Sequence, residues 1–180
     1  MKTFCKIILA LSLVTAAYAA EKAVTALHGA IEKVDADTRT IVVKSDDGLR
    51  HTLHVLDSTA VHGADAAENA TTQTWHGLKE GGEVVVHYTK RGAEDTAVEI
   101  DKVGEDGLRT TEGTVKEIDR SGKKLVVVAS DGTEEDFRLT EHASKDAGKD
   151  IAKETEKGTK VTVYYTEDAG KKVAHFFKVL

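Results

Sequence analysis

Cysteine is almost missing from this chain: Cys5 is the only one in 180 residues. It stands ahead of the apolar stretch Ile7–Val14, not behind it, so it is not placed to carry a lipoprotein anchor. Proline is absent, and no segment approaches the run of about 20 apolar residues that a membrane-crossing helix needs. Several chemical signatures are missing as well. The chain has no Gly-x-Ser-x-Gly, no phosphate-cradling glycine loop, no His-Glu-x-x-His and no paired cysteines. Disulfide, thiol and motif-borne hydrolytic chemistries therefore find no support here. Nothing in the pattern assigns a cofactor.

What is present begins at the N-terminus. Lys2 and Lys6 precede an apolar run, and Ala17-Tyr18-Ala19 places small residues where a signal peptidase reads. The expected processing removes residues 1–19 and, with them, Cys5. The chain is then expected in a bacterial periplasm or secreted. Loss of the two lysines takes the formal net charge from -6 to -8. An acidic surface without a continuous basic track and interleaved aromatics disfavours nucleic acid as a partner.

The rest of the chain repeats itself. His28-Gly-Ala-Ile-Glu-Lys-Val-Asp35 runs parallel to Glu112-Gly-Thr-Val-Lys-Glu-Ile-Asp119, and Ile41-Val-Val43 to Leu125-Val-Val127, at an offset of 84. Asp47-Gly48 then meets Asp131-Gly132, and Leu53 and Val55 meet Phe137 and Leu139. Beyond this the offset becomes 77, with Gly81 against Gly158, Val84 against Val161 and Tyr88 against Tyr165. The first copy therefore carries seven extra residues between its third strand and its next glycine. Matching turns and apolar phase over this length are the mark of an internal duplication. The expected bounds are 20–105 for one copy and 106–180 for the other.

Each copy reads as β-β-β-α-β-β. Asp-Gly pairs mark hairpins, because glycine tolerates positive φ and aspartate closes the turn. Helices are expected over Ala64–Leu78 and Ser144–Glu156, with Ser144 as an N-cap. Five short antiparallel strands close most economically into a barrel that hides its edges. The fold class is thus mainly β, two tandem OB-like five-stranded small barrels with a helix between strands three and four, SH3-like barrels being the alternative. The pattern Gly29, Ile31, Asp47, Gly48, Gly81, Val84, Val86 and its counterpart Gly113, Val115, Asp131, Gly132, Gly158, Val161, Val163 resembles small exported OB-like domains of unknown function in bacterial periplasmic proteins. The resemblance implies a periplasmic barrel and no particular activity. The short link Gly104–Thr111 implies barrels that touch.

Three kinds of side chain are candidates for function. Imidazoles suit divalent transition metals, and His51, His54, His62 and His87 of the first copy are the candidate ligands. On a strand His51 and His54 point to opposite faces, so any such site is assembled from several strands. Trp75, Tyr164 and Phe176 are candidates for a ligand platform or for contact between the copies, since alternation turns one of Tyr164 and Tyr165 outward. Paired acids such as Asp46-Asp47 lack the donor spacing of a calcium loop. The leading expectation is a non-enzymatic binding or accessory module whose barrel face meets a protein, an envelope component or a small solute. A transition-metal-binding protein and a hydrolase with an unmarked site are the alternatives.

Overall fold

The computed structural model describes residues 24–63, 74–75, 77–105, 107–145 and 157–180. The expected signal peptide, residues 1–19, lies outside them. The first copy runs β1 (Thr25–Asp35), β2 (Thr40–Ser45), β3 (Arg50–His62), β4 (Thr74–Trp75), β5 (Leu78–Lys79), β6 (Glu83–Arg91) and β7 (Glu94–Lys102). The second runs β8 (Arg109–Asp119), β9 (Lys124–Ala129), β10 (Glu134–Leu139), α1 (Glu141–Lys145), β11 (Lys160–Asp168) and β12 (Lys171–Val179). No helix among the described residues is long and apolar enough to cross a membrane.

In the first copy the order β1-β2-β3-β7-β6 returns to β1 and closes a barrel. The second copy has the same five ladders, its parallel one reduced to the three pairs between Phe137–Leu139 and Lys172–Ala174. The expected five antiparallel strands need correction, because neither sheet is wholly antiparallel. The third strand of each copy pairs in parallel with the last, β3 with β7 and β10 with β12. A crossover between them is what permits that ladder. It gives the OB-like order and not an SH3-like one.

The expected helices need correction. Among the described residues the only helix is α1, five residues long, and it begins at Glu141. Its cap is Thr140, whose Oγ1 accepts a bond from the Ala143 amide at 3.1 Å. Ser144 lies inside the helix, its hydroxyl donating to the Glu141 carbonyl. Residues 146–156 fall outside the described residues. In the first copy, Trp75 and Leu78 pair across a two-stranded hairpin instead of joining a helix. Gly77 at φ 71° makes that reversal, and the β-branched and aromatic residues Thr74 and Trp75 favour strand.

Duplication is written into the backbone as well as the side chains. The ladder of β1 slips between Ile31 and Lys33, and that of β8 between Val115 and Glu117, positions 84 apart. Positive φ recurs at Arg39 and Lys123, at Gly48 and Gly132, and at Gly81 and Gly158. Asp35 accepts from the Thr38 amide as Asp119 does from Gly122. One cross-strand ion pair recurs with its charges exchanged: Arg50 on Glu32 in the first copy, Lys116 on Glu134 in the second. Opposite charges across a ladder stabilise it in either orientation, so the pair survives the exchange.

Each copy keeps its own core. Leu27, Ile31, Ile41, Leu53, Val86 and Ile100 fill the first, and Val115, Leu125, Val127, Phe137, Val163 and Phe177 lie in the second. The two cores meet, since Ala26 and Val85 of the first barrel pack in the second cluster. The link turns tightly, the Leu108 amide donating to the Lys102 carbonyl at 2.7 Å and Leu108 itself being buried. Polar contacts tie the copies further. Lys178 Nζ lies 2.7 Å from Asp46 Oδ2, His28 Nδ1 lies 2.8 Å from the same oxygen, and the His28 ring rests on Tyr164 at 4.8 Å.

Burial acts to raise the Asp46 carboxyl, but the bonds from Lys178 and His28 outweigh it and hold it below the ordinary 3.8. A carboxyl depressed in the fold stabilises it fully above the unfolded value, and that contribution disappears as pH falls through the lower, folded value. Thermal midpoints should therefore drop as pH falls below about 4, and Asp46→Asn should flatten this drop. An unchanged profile in that variant would remove Asp46 from the account.

Candidate metal centre

The first copy's third strand outruns its counterpart, thirteen residues against six. Its parallel ladder with β7 is interrupted between Val55 and Ala60 and then resumes as Ala60 with Glu99, Val61 with Ile100 and His62 with Asp101. Thr59 holds the interruption in shape: its hydroxyl accepts from the Leu56 amide and donates to the Ala97 carbonyl at 2.7 Å. The effect is to set His62 beside two acids of β7, and the second copy has no matching extension of β10.

His62 Nδ1 lies 2.8 Å from Asp101 Oδ1 and 3.3 Å from Glu99 Oε1. One ligand atom from each of these three residues falls within 4.8 Å of the others, so the group can hold a metal ion. Glu99 and Asp101 are two apart on β7 and so share a face. That face looks out of the first barrel onto the second copy. From there His142, on α1, brings Nδ1 to 2.5 Å from Glu99 Oε2. His175, on β12, brings Nδ1 to 3.5 Å from Asp101 Oδ2 and 3.9 Å from Glu99 Oε1. His87 is fully buried, its ring 5.2 Å from that of His142.

Asp101 is 1% exposed. Burial alone would raise its carboxyl, yet the neighbouring imidazoles of His175, His62 and His87 prevail and hold it below the ordinary range. A buried, charged carboxylate needs its oxygens paired. Asp101 Oδ1 has His62, whereas buried Oδ2 faces Nδ1 of His175 as an ion pair at 3.5 Å without a well-formed hydrogen bond. The opening is on the His62 side, where that side chain is 54% exposed.

Of the candidate ligands, His62 and His87 lie in or against this cluster. His51 lies elsewhere, with Nε2 3.2 Å from Ser45 Oγ, and His54 faces Glu94 at 3.7 Å. Tyr164 and Phe176 are buried and in ring contact at 5.5 Å, with Tyr164 against His28 of the other copy. Trp75 sits on β4, paired with Leu78. Sequence reasoning passed over Glu99, Asp101, His142 and His175 as site residues. One signal was available. By the register of the last two strands Glu99 and Asp101 correspond to Phe176 and Lys178, so two acids occupy outward positions that the second copy gives to an aromatic and a base. Cavities of about 180 and 380 Å³ are lined by other residues, such as Ile31 and Leu78 or Gly113 and Lys160.

No family model and no curated protein matches this chain. Among solved structures, silver-bound CusF residues 10–88 from Escherichia coli is similar at 13% identity and a TM-score of 0.35, over 46% of this chain and 95% of that one. Apo-CusF residues 6–88 from the same organism is similar at 12% identity and the same TM-score, over 54% of this chain and 100% of the other. At those values the silver is a property of CusF and assigns nothing to this chain. The OB-like architecture rests on the strand order described above.

Proposed function

We propose that this protein is an exported, non-enzymatic metal-binding module whose ion is held by His62, Glu99 and Asp101. The observation that carries the reading is the buried carboxylate of Asp101, which keeps one oxygen without a hydrogen bond in the middle of a histidine–carboxylate cluster. The His175 imidazole, 3.5 Å away, meets that oxygen only as a long ion pair, and a buried charged acceptor gains more from a close partner such as a cation. The donors are imidazole nitrogen and carboxylate oxygen, which suit divalent zinc, cobalt, nickel or copper. Soft sulfur donors do not contribute: the only cysteine and the only methionine are Cys5 and Met1. In this reading residues 1–19 direct export to the periplasm, and residues 20–105 and 106–180 are the two barrels.

The carboxylates set the charge of the site and the histidine its preference. Isothermal titration of the mature protein with Zn²⁺ at pH 7 should give one ion per chain. Asp101→Asn keeps the shape while removing the charge, and should weaken binding about 100-fold, at the upper end of what even indirect partners of a metal site cost. Glu99→Gln should act in the same direction, whereas His51→Ala and His54→Ala should leave affinity unchanged. Equal affinity in wild type and Asp101→Asn, or no uptake of zinc, cobalt, nickel or copper, would sink the proposal.

A further inference from the structure

The three-residue cluster belongs to the first copy alone, yet it is not closed there. Building on the metal reading, we propose that His175 of the second copy supplies the fourth ligand, so that the ion is shared by both barrels and clamps them together. Nδ1 of His175 lies 3.5 Å from Asp101 Oδ2 and 3.9 Å from Glu99 Oε1, an ion-pair approach without a well-formed hydrogen bond to either. The approach to Asp101 has the spacing of co-ligands, and the longer one to Glu99 would have to close by a few tenths of an ångström around an ion. A tetrahedral ion with bonds of about 2.0–2.2 Å spaces its donors by about 3.3–3.6 Å; His62 to Glu99 is 3.3 Å, while His62 and Asp101, hydrogen-bonded at 2.8 Å, would have to part to admit it.

The other side of the His175 ring is prepared for this role. Its Nε2 lies 3.1 Å from Thr166 Oγ1 on the neighbouring strand β11. On binding an ion, a proton kept on Nε2 and donated to that hydroxyl would free Nδ1 as the ligand atom, the cation taking over the imidazole's present pairing with Asp101. Metal-bound histidines commonly fix their other ring nitrogen in this way. His142 has a different part. It engages Glu99 through Oε2, leaving Oε1, the oxygen near His62 and His175, for the ion. His142 is thus a positioning residue and not a ligand.

Two histidines and two carboxylates complete a four-coordinate site with no open position, which is the arrangement of a structural or holding site and not of a catalytic one. Its ligands come from β3 and β7 on one side and β12 on the other. The ion would therefore bind most tightly to the docked pair of barrels and slow their separation.

Cobalt titration of the mature protein tests this without assuming zinc is the natural ion. Wild type should develop the intense visible bands of four-coordinate Co²⁺. His175→Ala should replace them with the weak bands of a higher-coordinate, water-completed ion, and weaken affinity about 100-fold. His142→Ala should keep the band shape and weaken affinity about 10-fold. Hydrogen exchange of the β12 amides should slow on Zn²⁺ addition in wild type only. Wild-type cobalt bands and affinity in His175→Ala, with loss in His62→Ala, would overturn the clamp while leaving the first-copy site standing. No cobalt or zinc binding by wild type would overturn the site itself. Should His175→Ala fail to fold, the wild-type spectrum alone decides: weak six-coordinate bands refute the fourth ligand.

Discussion

Gly29→Ala, the addition of one methyl group, is expected to destabilise this protein by about 3 kcal/mol, the upper part of the range for overpacking. A Cβ at Gly29 would lie 2.2 Å from the Lys44 carbonyl oxygen and 2.8 Å from its carbon. Both are backbone atoms of the paired strand β2, so no side chain can rotate away. Relief would require opening the ladder next to the slip at Ile31, where the strand already bends. The same obstruction recurs at Gly113, whose Cβ would meet Val127 Cγ1 at 2.4 Å and the Val128 carbonyl oxygen at 2.5 Å. Gly113→Ala should therefore cost a similar amount, eased somewhat because Val127 presents a side chain. Gly48→Ala provides the contrast: it meets nothing within 4 Å and bears only its positive φ of 83°, worth about 1–2 kcal/mol. Urea midpoints of the three variants measure this order. Equal effects at positions 29 and 48 would show that backbone conformation, not close approach, makes Gly29 necessary.

Those two glycines also show what the residues alone disclosed. Gly29 and Gly113 stood out as equivalent because a duplication preserves the positions where a side chain cannot fit. Turns and inward apolar residues repeated for the same reason, and strand order followed from them except for the parallel ladder. That ladder is a long-range pairing, and short-range alternation carries no information about it. The helix over Ala64–Leu78 failed where Thr74 and Trp75 entered a hairpin, a local preference that an alanine-rich context concealed. The candidate metal centre was legible only in part. His62 was chosen as an imidazole, but its partners come from β7, α1 and β12, separated from it by up to 113 positions. No spacing rule spans such distances. The seven extra residues of the first copy were visible, whereas their coincidence with a strand extension that sets His62 opposite Asp101 was not.

Phe176→Ala carries the second large effect, about 3–5 kcal/mol. The ring is wholly buried, 5.5 Å from Tyr164, which in turn rests on His28 of the first copy. Truncation would thus open a cavity at the junction and not inside one barrel. The register places Phe176 where the first copy has Glu99, and Tyr164 where it has His87. The same outward face of two duplicated barrels has become apolar in one and metal-suited in the other, and the copies bury these faces around one another. Lys178, beside Phe176, provides a partly exposed pair with Asp46, and Lys178→Ala should cost no more than about 1 kcal/mol. Because Ala26 and Val85 of the first barrel belong to the second core cluster, the two barrels should unfold in one transition, and Phe176→Ala should shift that transition whole. Fluorescence of Trp75, in the first copy, and far-ultraviolet circular dichroism should move together in urea. A Trp75 midpoint that stays in place while the dichroism midpoint falls would show that the barrels melt independently, and that the junction, for all its burial, does not couple them.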